Sequence, residues 1–400
     1  MRNIFVTGMG IITSLGIGKD RTLQALQQKK SSIGAMKYLQ TTHNNFPVGE
    51  VQLSTDEMGD FLNVPDGTYT RTALLGRIAL KEALQESEIN EKRPKRLALI
   101  SGTTVGGMDK SEIFYNDFLS GDKHTEYIET HDCGATTDLI SKEYQGKFDV
   151  ITTISTACSS AANAVILGAN LIKTGRVDAA IVGGSECLSK FHLNGFKTLM
   201  ILDSEHNKPF DRNRNGLNLG EGAAFIVIES EESVNERNVN PICKLSGYAN
   251  TCDAFHQTAT SPNGEGAFLA MEKAIQESGL KKSDIDYINA HGTGTDNNDL
   301  TEGIAIMRVF GDKIPPVSSI KSFTGHTTSA AGSVESVISI LALKHNFIPV
   351  NLNFTEQIEE LSFKPATEMI PNKDLKHVIT NSFGFGGNDS SCIFSQIDLS

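Results

Sequence analysis

A short apolar run, a turn of small polar residues and a helix rich in small residues occur together twice in this chain. In the first copy Val150-Ile151-Thr152-Thr153-Ile154 leads through Ser155-Thr156-Ala157-Cys158-Ser159-Ser160 into Ala161-Ala162-Asn163-Ala164-Val165-Ile166-Leu167. In the second, the run at 316–319 leads through Phe323-Thr324-Gly325-His326-Thr327-Thr328 into a helix over 330–345. Each copy is followed by a strand ending in glycines, Val182-Gly183-Gly184 and Phe385-Gly386-Gly387. A recurrence of this kind points to a duplicated α/β unit with its boundary near 240–250. The halves are drawn as 1–245 and 246–400.

The rest of the chain alternates in the same way. Strands are expected at 3–9, 97–102, 150–155, 178–184, 223–229, 286–290, 316–319, 378–382 and 391–396. Helices are expected at 72–88, 159–174, 264–278, 299–310 and 330–345, where apolar residues recur at helical spacing. Loops are expected at 39–70, 116–135 and 202–220. Neither low-complexity segments nor heptads interrupt the pattern, and no Pro/Gly/Ser-rich linker divides it.

At 400 residues, 39% hydrophobic and 21% charged, the chain has a globular composition with a large core. Thirty-six basic against 48 acidic residues give a net charge of −12, which disfavours nucleic acid and anionic membranes as partners. The six cysteines form no C-x-x-C pair and no zinc-like spacing, so neither a disulfide framework nor a metal site is expected. A reducing cytoplasm fits. The apolar run after Met1-Arg2-Asn3 is too short for a signal peptide, and no stretch is long enough to span a bilayer.

Four segments could carry chemistry. Cys158 stands at the start of a helix, where unpaired amides should lower a thiol pKa and favour the thiolate. Asn289-Ala290-His291-Gly292-Thr293-Gly294-Thr295 places a histidine at a strand end in a loop that can approach a ligand. In Ser318-Ser319-Ile320-Lys321-Ser322-Phe323-Thr324-Gly325-His326, a neutral imidazole could donate to a developing oxyanion, with Glu335 available to pair Lys321. Asn381-Ser382-Phe383-Gly384-Phe385-Gly386-Gly387-Asn388 is a glycine-rich turn suited either to a phosphate cradle or to an oxyanion hole. The phosphate-loop pattern itself is missing. Gly8-Met9-Gly10 is no dinucleotide fingerprint either, because Thr13 stands where the third glycine should be.

Six motifs in register resemble those of the β-ketoacyl-acyl carrier protein synthases of the thiolase superfamily, especially the synthase II type. They are Thr156-Ala157-Cys158-Ser159-Ser160, Asp178-Ala179-Ala180-Ile181-Val182-Gly183-Gly184, Lys208-Pro209-Phe210-Asp211, Asn289-Ala290-His291-Gly292-Thr293, Lys321-Ser322-Phe323-Thr324-Gly325-His326 and Asn381-Ser382-Phe383-Gly384-Phe385-Gly386-Gly387. The resemblance implies a thiolase fold of two βαβαβαββ units in five layers, α-β-α-β-α. It also implies a decarboxylative Claisen condensation of a cysteine-bound acyl chain with malonyl-acyl carrier protein, with no cofactor and no metal. Cys158 would accept the acyl group; the amides of Cys158 and Phe385 would form an oxyanion hole; His291 and His326 would hold the malonyl thioester carbonyl. Lys321 and Glu335 would pair and orient His326. Thr293 and Thr295 would line the pantetheine tunnel, Phe385 would gate the acyl pocket with Phe383 beside it, and Val105 would lie where that pocket meets a dimer interface.

The segments 129–138 and 194–203 depart from the housekeeping synthase II pattern and look more like relatives serving specialised polyene or aryl-polyene pathways. The implied partners are an acyl carrier protein and either a second copy or a chain-length factor. A non-catalytic chain-length-factor-like role for this chain is the alternative, weakened by the presence of Cys158, His291 and His326. A thiolase proper would carry a second cysteine where Phe383 and Phe385 stand, and a papain-like hydrolase would need a glycine-flanked cysteine and a trailing Asn or Asp. Because carrier proteins are acidic, docking on so acidic a chain calls for a local basic rim. Lys197, Lys208, Arg212 and Arg214 are the first candidates, and Lys281-Lys282 the second.

Overall fold

The computed structural model describes residues 3–397 except 66, 68 and 122. The N-terminal part runs β1 (Ile4–Thr13), β2 (Gly16–Ile17), α1 (Lys19–Gln27), α2 (Thr55–Leu62), α3 (Arg71–Glu86), β3 (Leu97–Gly102), α4 (Met108–Ser120), α5 (Cys133–Ser141), β4 (Val150–Ile154), α6 (Ser160–Lys173), β5 (Ala179–Glu186), α7 (Lys190–Thr198), β6 (Gly222–Ser230) and α8 (Glu231–Arg237). It continues with β7 (Cys243–Cys252), α9 (Glu265–Ser278), β8 (Tyr287–Asn289), α10 (Asp296–Phe310), β9 (Val317–Ser318), α11 (Lys321–Thr324), α12 (Ala331–His345), β10 (His377–Gly384) and β11 (Asn388–Ser395).

The strands lie in the order β4-β3-β5-β6-β1-β7-β11-β10-β8-β9, with β2 attached to β1. Outward from β1, β6 and then β5 pair antiparallel, and β3 and β4 follow in parallel. Outward from β7, β11 and then β10 pair antiparallel, and β8 and β9 follow in parallel. The two series share one topology, as the sequence recurrence requires. They join where β1 and β7 pair over Phe5–Lys244 and Val6–Cys243. The 245/246 division read from the sequence falls inside β7.

Alternation along each strand builds the layers. Leu97, Leu99, Ala179, Ile181, Phe225 and Val227 face outward against apolar residues of α2, α3 and α5, while Ala98, Ile100, Ala180, Val182, Ile226 and Ile228 face inward toward α6 and α12. On the far side α9 and α10 cover Ile288, Ile379 and Ile393 with Ala270, Ala274, Ile306 and Val309. The order is therefore α-β-α-β-α, and strands covered on both faces read as near-continuous apolar runs. The two central helices need small residues where they cross. A Cβ on Gly332 of α12 would lie 2.7 Å from the Ala162 amide of α6, so nothing larger than glycine fits there without a shift.

Helices α1, α2, α4, α5, α7, α8 and α11 and strands β2 and β7 lie outside the elements expected from the sequence. Helix α2 lies within the expected 39–70 loop and is started by a capping box, Ser54 with Glu57. Helix α4 buries no residue, and it exposes Ile113, Tyr115, Phe118 and Leu119. Strand β7 is rich in Ser, Gly, Asn and Thr and is held by pairing on both sides, to β1 and β11.

Candidate active site

Strand β4 ends at Ile154 and α6 begins at Ser160, and the turn between them puts Cys158 at the head of the central helix. Ala157 takes φ +50°, a left-handed conformation costing a residue with a Cβ about 1 kcal/mol, so the surroundings must hold it. They do so through hydroxyls. Ser159 Oγ lies 2.8 Å from both the Thr156 carbonyl and Asn388 Oδ1 and donates its one proton to either, and Ser382 Oγ donates to the Cys158 carbonyl at 3.0 Å. The Cys158 side chain is buried, and burial pushes its thiol up to about 12 even though Lys321 and a bond from the Phe385 amide act in the opposite sense. The lowered pKa expected from the helix start is thus not found: desolvation of a thiolate outweighs the Lys321 charge and the Phe385 amide.

His291 follows β8 in a loop whose backbone is held by two buried carboxylates. Glu302 of α10 accepts from the amides of His291 (2.9 Å) and Gly292 (2.8 Å) and from Asn381 Nδ2 (3.1 Å). Asp299 accepts from the amides of Gly294 (3.1 Å) and Phe210 (2.7 Å). Gly292 is required, having φ +36° and room for a Cβ only 2.6 Å from that of Ser319.

The tautomers of both histidines follow from their partners. Lys321 Nζ lies 3.2 Å from His291 Nδ1, and an ammonium has only donors, so Nδ1 accepts and the ring proton is on Nε2. His326 Nδ1 accepts from the Thr328 amide at 3.2 Å, which puts its proton on Nε2 as well. The rings stand edge to face, 5.3 Å apart at 83°. Burial, joined by the nearby Lys321 ammonium, holds both well below the usual histidine range, so both are neutral donors at physiological pH. Lys321 also bonds the His291 carbonyl and Glu335 Oε1. It therefore fixes His291 and not His326, which the Thr328 amide orients instead. Burial raises the Glu335 carboxyl to about 7 against the pull of Lys321, and its Oε2 has no hydrogen-bond partner.

Cys158, His291 and His326 meet at the inner end of a cavity of about 260 Å³ whose wall includes Thr293, Thr295, Phe383, Phe385 and Phe196. The Thr293 and Thr295 hydroxyls are 2.9 Å apart, and Phe383 packs 5.8 Å from His291. Half-buried Phe385 stacks on Phe196 at 5.9 Å and 25°. Leu199 and Met200 line the outer part, and Met200 is 88% exposed. Lys321 and Glu335 lie behind the histidines. Val105 is not on the cavity wall: its amide donates to Glu186 at 3.2 Å and its side chain is buried.

The basic residues picked out for docking fare unevenly. The Arg214 guanidinium is spent on the carbonyls of Asp211, Thr295 and Asp296, and Arg212 pairs with Glu356 and Glu359. Lys208 lies 4.0 Å from Glu205, Lys197 reaches His43, and Lys282 pairs with Glu272. Sequence reasoning gave no role to Glu302, Asp299 and Phe196, and it took in Thr328 and Asn388 only as members of their turns. Charged and polar positions on a helix pattern default to the solvent face, and only Phe196 carried a signal, its aromatic ring beside a glycine.

A buried thiol facing two neutral imidazole N–H donors, at the seam of a duplicated α/β fold, is the equipment of an enzyme that forms carbon–carbon bonds between thioesters. The Beta-ketoacyl synthase N-terminal domain matches residues 1–233 and the C-terminal domain residues 242–355, and the chain belongs to the β-ketoacyl synthase family. It is 32% identical to 3-oxoacyl-[acyl-carrier-protein] synthase 2 of Mycobacterium tuberculosis, over 98% of this chain and 97% of that one. Among solved structures it is similar to the ishigamide ketosynthase/chain length factor, with TM-score 0.92, 28% identity and 99% coverage of both chains. It is also similar to the ketosynthase ApeO in complex with its chain length factor ApeC from Xenorhabdus doucetiae, with TM-score 0.84, 30% identity and coverage of 99% and 98%.

Proposed function

We propose that the chain is an elongating ketosynthase that joins a Cys158-bound acyl chain to a malonyl thioester with loss of carbon dioxide. The carrying observation is the convergence of the Cys158 thiol with two Nε2–H donors at the inner end of one cavity. In the first step Cys158 Sγ attacks the carbonyl of an acyl thioester on a carrier protein's pantetheine arm. The S–H proton passes to the departing thiol, so the exchange is proton-neutral and tolerates a thiol that rests protonated. The oxyanion of this step lies against the amides of Cys158 and Phe385. In the second step the malonyl thioester takes the same tunnel past Thr293 and Thr295. Its carbonyl oxygen accepts from His291 and His326 as the bond to the carboxylate breaks. The electron pair released makes an enolate, which attacks the acyl carbonyl and expels the Cys158 thiolate, reprotonated from water. Imidazolium would protonate the enolate, so the low basicity of both histidines suits this role.

The partners follow from the chemistry and the surface. An acyl carrier protein delivers both substrates. A second subunit, another copy or a chain-length factor, pairs with edge strand β4, whose Ile151 is exposed. The likeness to ketosynthases solved with chain length factors supports the heterodimer, and the departures at 129–138 and 194–203 support a specialised polyene or aryl-polyene product. Among the described residues no helix is long and apolar enough to cross a membrane. Six free cysteines suit the cytoplasm. The division near residue 245 separates an N-terminal half that supplies the nucleophile from a C-terminal half that supplies the histidines.

The test is to follow carbon dioxide release and 3-oxoacyl product by mass spectrometry from acyl- and malonyl-carrier protein. Condensation must vanish in Cys158→Ala and fall about 10² or more in His291→Ala. Full condensation by Cys158→Ala overturns the reading.

A further inference from the structure

The tunnel must serve twice. The malonyl arm cannot reach His291 and His326 past Thr293 and Thr295 while an acyl chain fills that passage, so the chain on Cys158 has to lie elsewhere. Two rings on the cavity wall, Phe385 and Phe196, lead to a third behind it. Phe385 stacks on Phe196, and Phe196 meets His192 edge-on at 6.1 Å and 76°. Phe385 is only half-buried, and a Cβ on Gly386 behind it would meet nothing, so the ring has open space into which it can leave this stack.

His192 cannot follow. It is 6% exposed in the first turn of α7, where its amide is capped by Ser189 Oγ at 3.1 Å and Phe191 packs against its ring at 6.1 Å. Burial lowers its pKa despite the carboxylates of Glu186 and Glu112, so the ring is neutral and can border an apolar chain. Those carboxylates are engaged: Glu186 accepts from Thr103 Oγ1 and the amides of Thr104 and Val105, and Glu112 accepts from the amides of Lys190 and Phe191. Nothing in the condensation proposed above uses His192.

We propose that His192, fixed behind Phe196, is the specificity-determining residue of the acyl site: it ends the space opened when Phe385 swings away, and it favours flat conjugated acyl chains over saturated ones of equal length. A chain entering there replaces the Phe385 ring against the face of Phe196. A conjugated chain is flat and rigid and offers a π-face to stack. A saturated chain of the same length is thicker, stacks poorly and loses rotational freedom. Burial between Phe191 and Phe196 keeps the imidazole from rotating out of the way of a longer chain.

This rests on the ketosynthase reading. The experiment is competitive loading of Cys158 from carrier protein charged with saturated and conjugated acyl chains of increasing length, read as acyl-enzyme by intact-protein mass spectrometry. Wild type should favour conjugated over saturated chains and show a length beyond which loading stops. His192→Ala should raise the ratio of long to short chains by about tenfold or more, the scale that one methylene of pocket space carries. Phe196→Leu, at a half-exposed position less exposed to folding failure, should lower the conjugated-to-saturated ratio. His192→Gln, which keeps most of the bulk and a polar N–H, should hold the length limit. If short chains load and His192→Ala, or Phe196→Leu should His192→Ala not fold, leaves these ratios as in wild type, the assignment of His192 is wrong while the ketosynthase reading stands. If no chain forms a thioester on Cys158, the ketosynthase reading itself fails and this inference with it.

Discussion

Replacing Lys321 by Met separates two jobs that the site combines. The ammonium holds His291 Nδ1 at 3.2 Å and also bonds the His291 carbonyl and Glu335. Methionine keeps the length of the side chain and removes all three bonds. His291 then has no reason to keep its proton on Nε2, and one of the two donors facing the malonyl carbonyl is lost for much of the time. Losing one such donor costs about 10²–10³ in rate, roughly 3–4 kcal/mol. Cys158 acylation uses backbone amides, so it should fall far less, by about tenfold at most, the part due to Lys321 no longer favouring the thiolate. Stability also drops. Removing one member of a buried pair costs about 3–5 kcal/mol when the other stays charged, but Glu335 already sits at about 7 and can take a proton, so the loss should be near the lower figure. Carbon dioxide release from malonyl-carrier protein reports the first job, and intact mass of the acyl-enzyme the second. Urea unfolding gives the stability, and Lys321→Met/Glu335→Gln should restore much of it without restoring decarboxylation. Recovery of decarboxylation in the double variant, or equal loss of both activities in the single one, would refute the orienting role.

Three further outcomes follow from the geometry. With the Cys158 thiol raised to about 12, its alkylation in a Cys252→Ser background should quicken about tenfold per pH unit from neutral to about pH 10, and a plateau near neutrality would contradict the burial argument. Burial beside Asp253 and Glu302 raises the Asp389 carboxyl from 3.8 to about 7, and its Oδ1 lacks a partner. A carboxyl raised in the fold contributes stability that is full below its unfolded value and lost as pH rises through the folded one. Tm should therefore fall between about pH 4 and pH 7, and Asp389→Asn should flatten that fall by up to about 4 kcal/mol; an unchanged slope would refute it. Gly332→Ala, placing a methyl against the Ala162 amide, should cost about 1–3 kcal/mol in urea unfolding and slow acyl loading by moving α6 relative to α12; wild-type stability would show the crossing is loose.

The parts of the fold legible in the sequence are those where apolar residues fill both faces of a strand or the core stripe of a long helix. β3, β5, β6, α3 and α12 are of this kind. β7 was invisible because its hydrogen bonds to β1 and β11, not its side chains, keep it extended. α4 was missed although its apolar residues recur, since they point to solvent. In the site, Cys158, His291 and His326 stood out through rare residue types in glycine-rich or helix-start turns. Glu302 did not, because a glutamate on a helix is ordinarily solvated, and only the fold shows that it faces three buried donors. The charge argument for the thiol failed for a related reason. A helix start is visible in sequence, whereas the water excluded from it is not.

The shared passage past Thr293 and Thr295 also dictates the order of events in turnover. A pantetheine arm that has delivered its acyl group still blocks the passage until the emptied carrier departs, so the two carriers cannot be bound together and the kinetics must be ping-pong. Malonyl-carrier and acyl-carrier then compete for the free enzyme. An excess of the extender should therefore inhibit, and the cell's ratio of the two charged carriers, not the abundance of either, would set the flux through this enzyme.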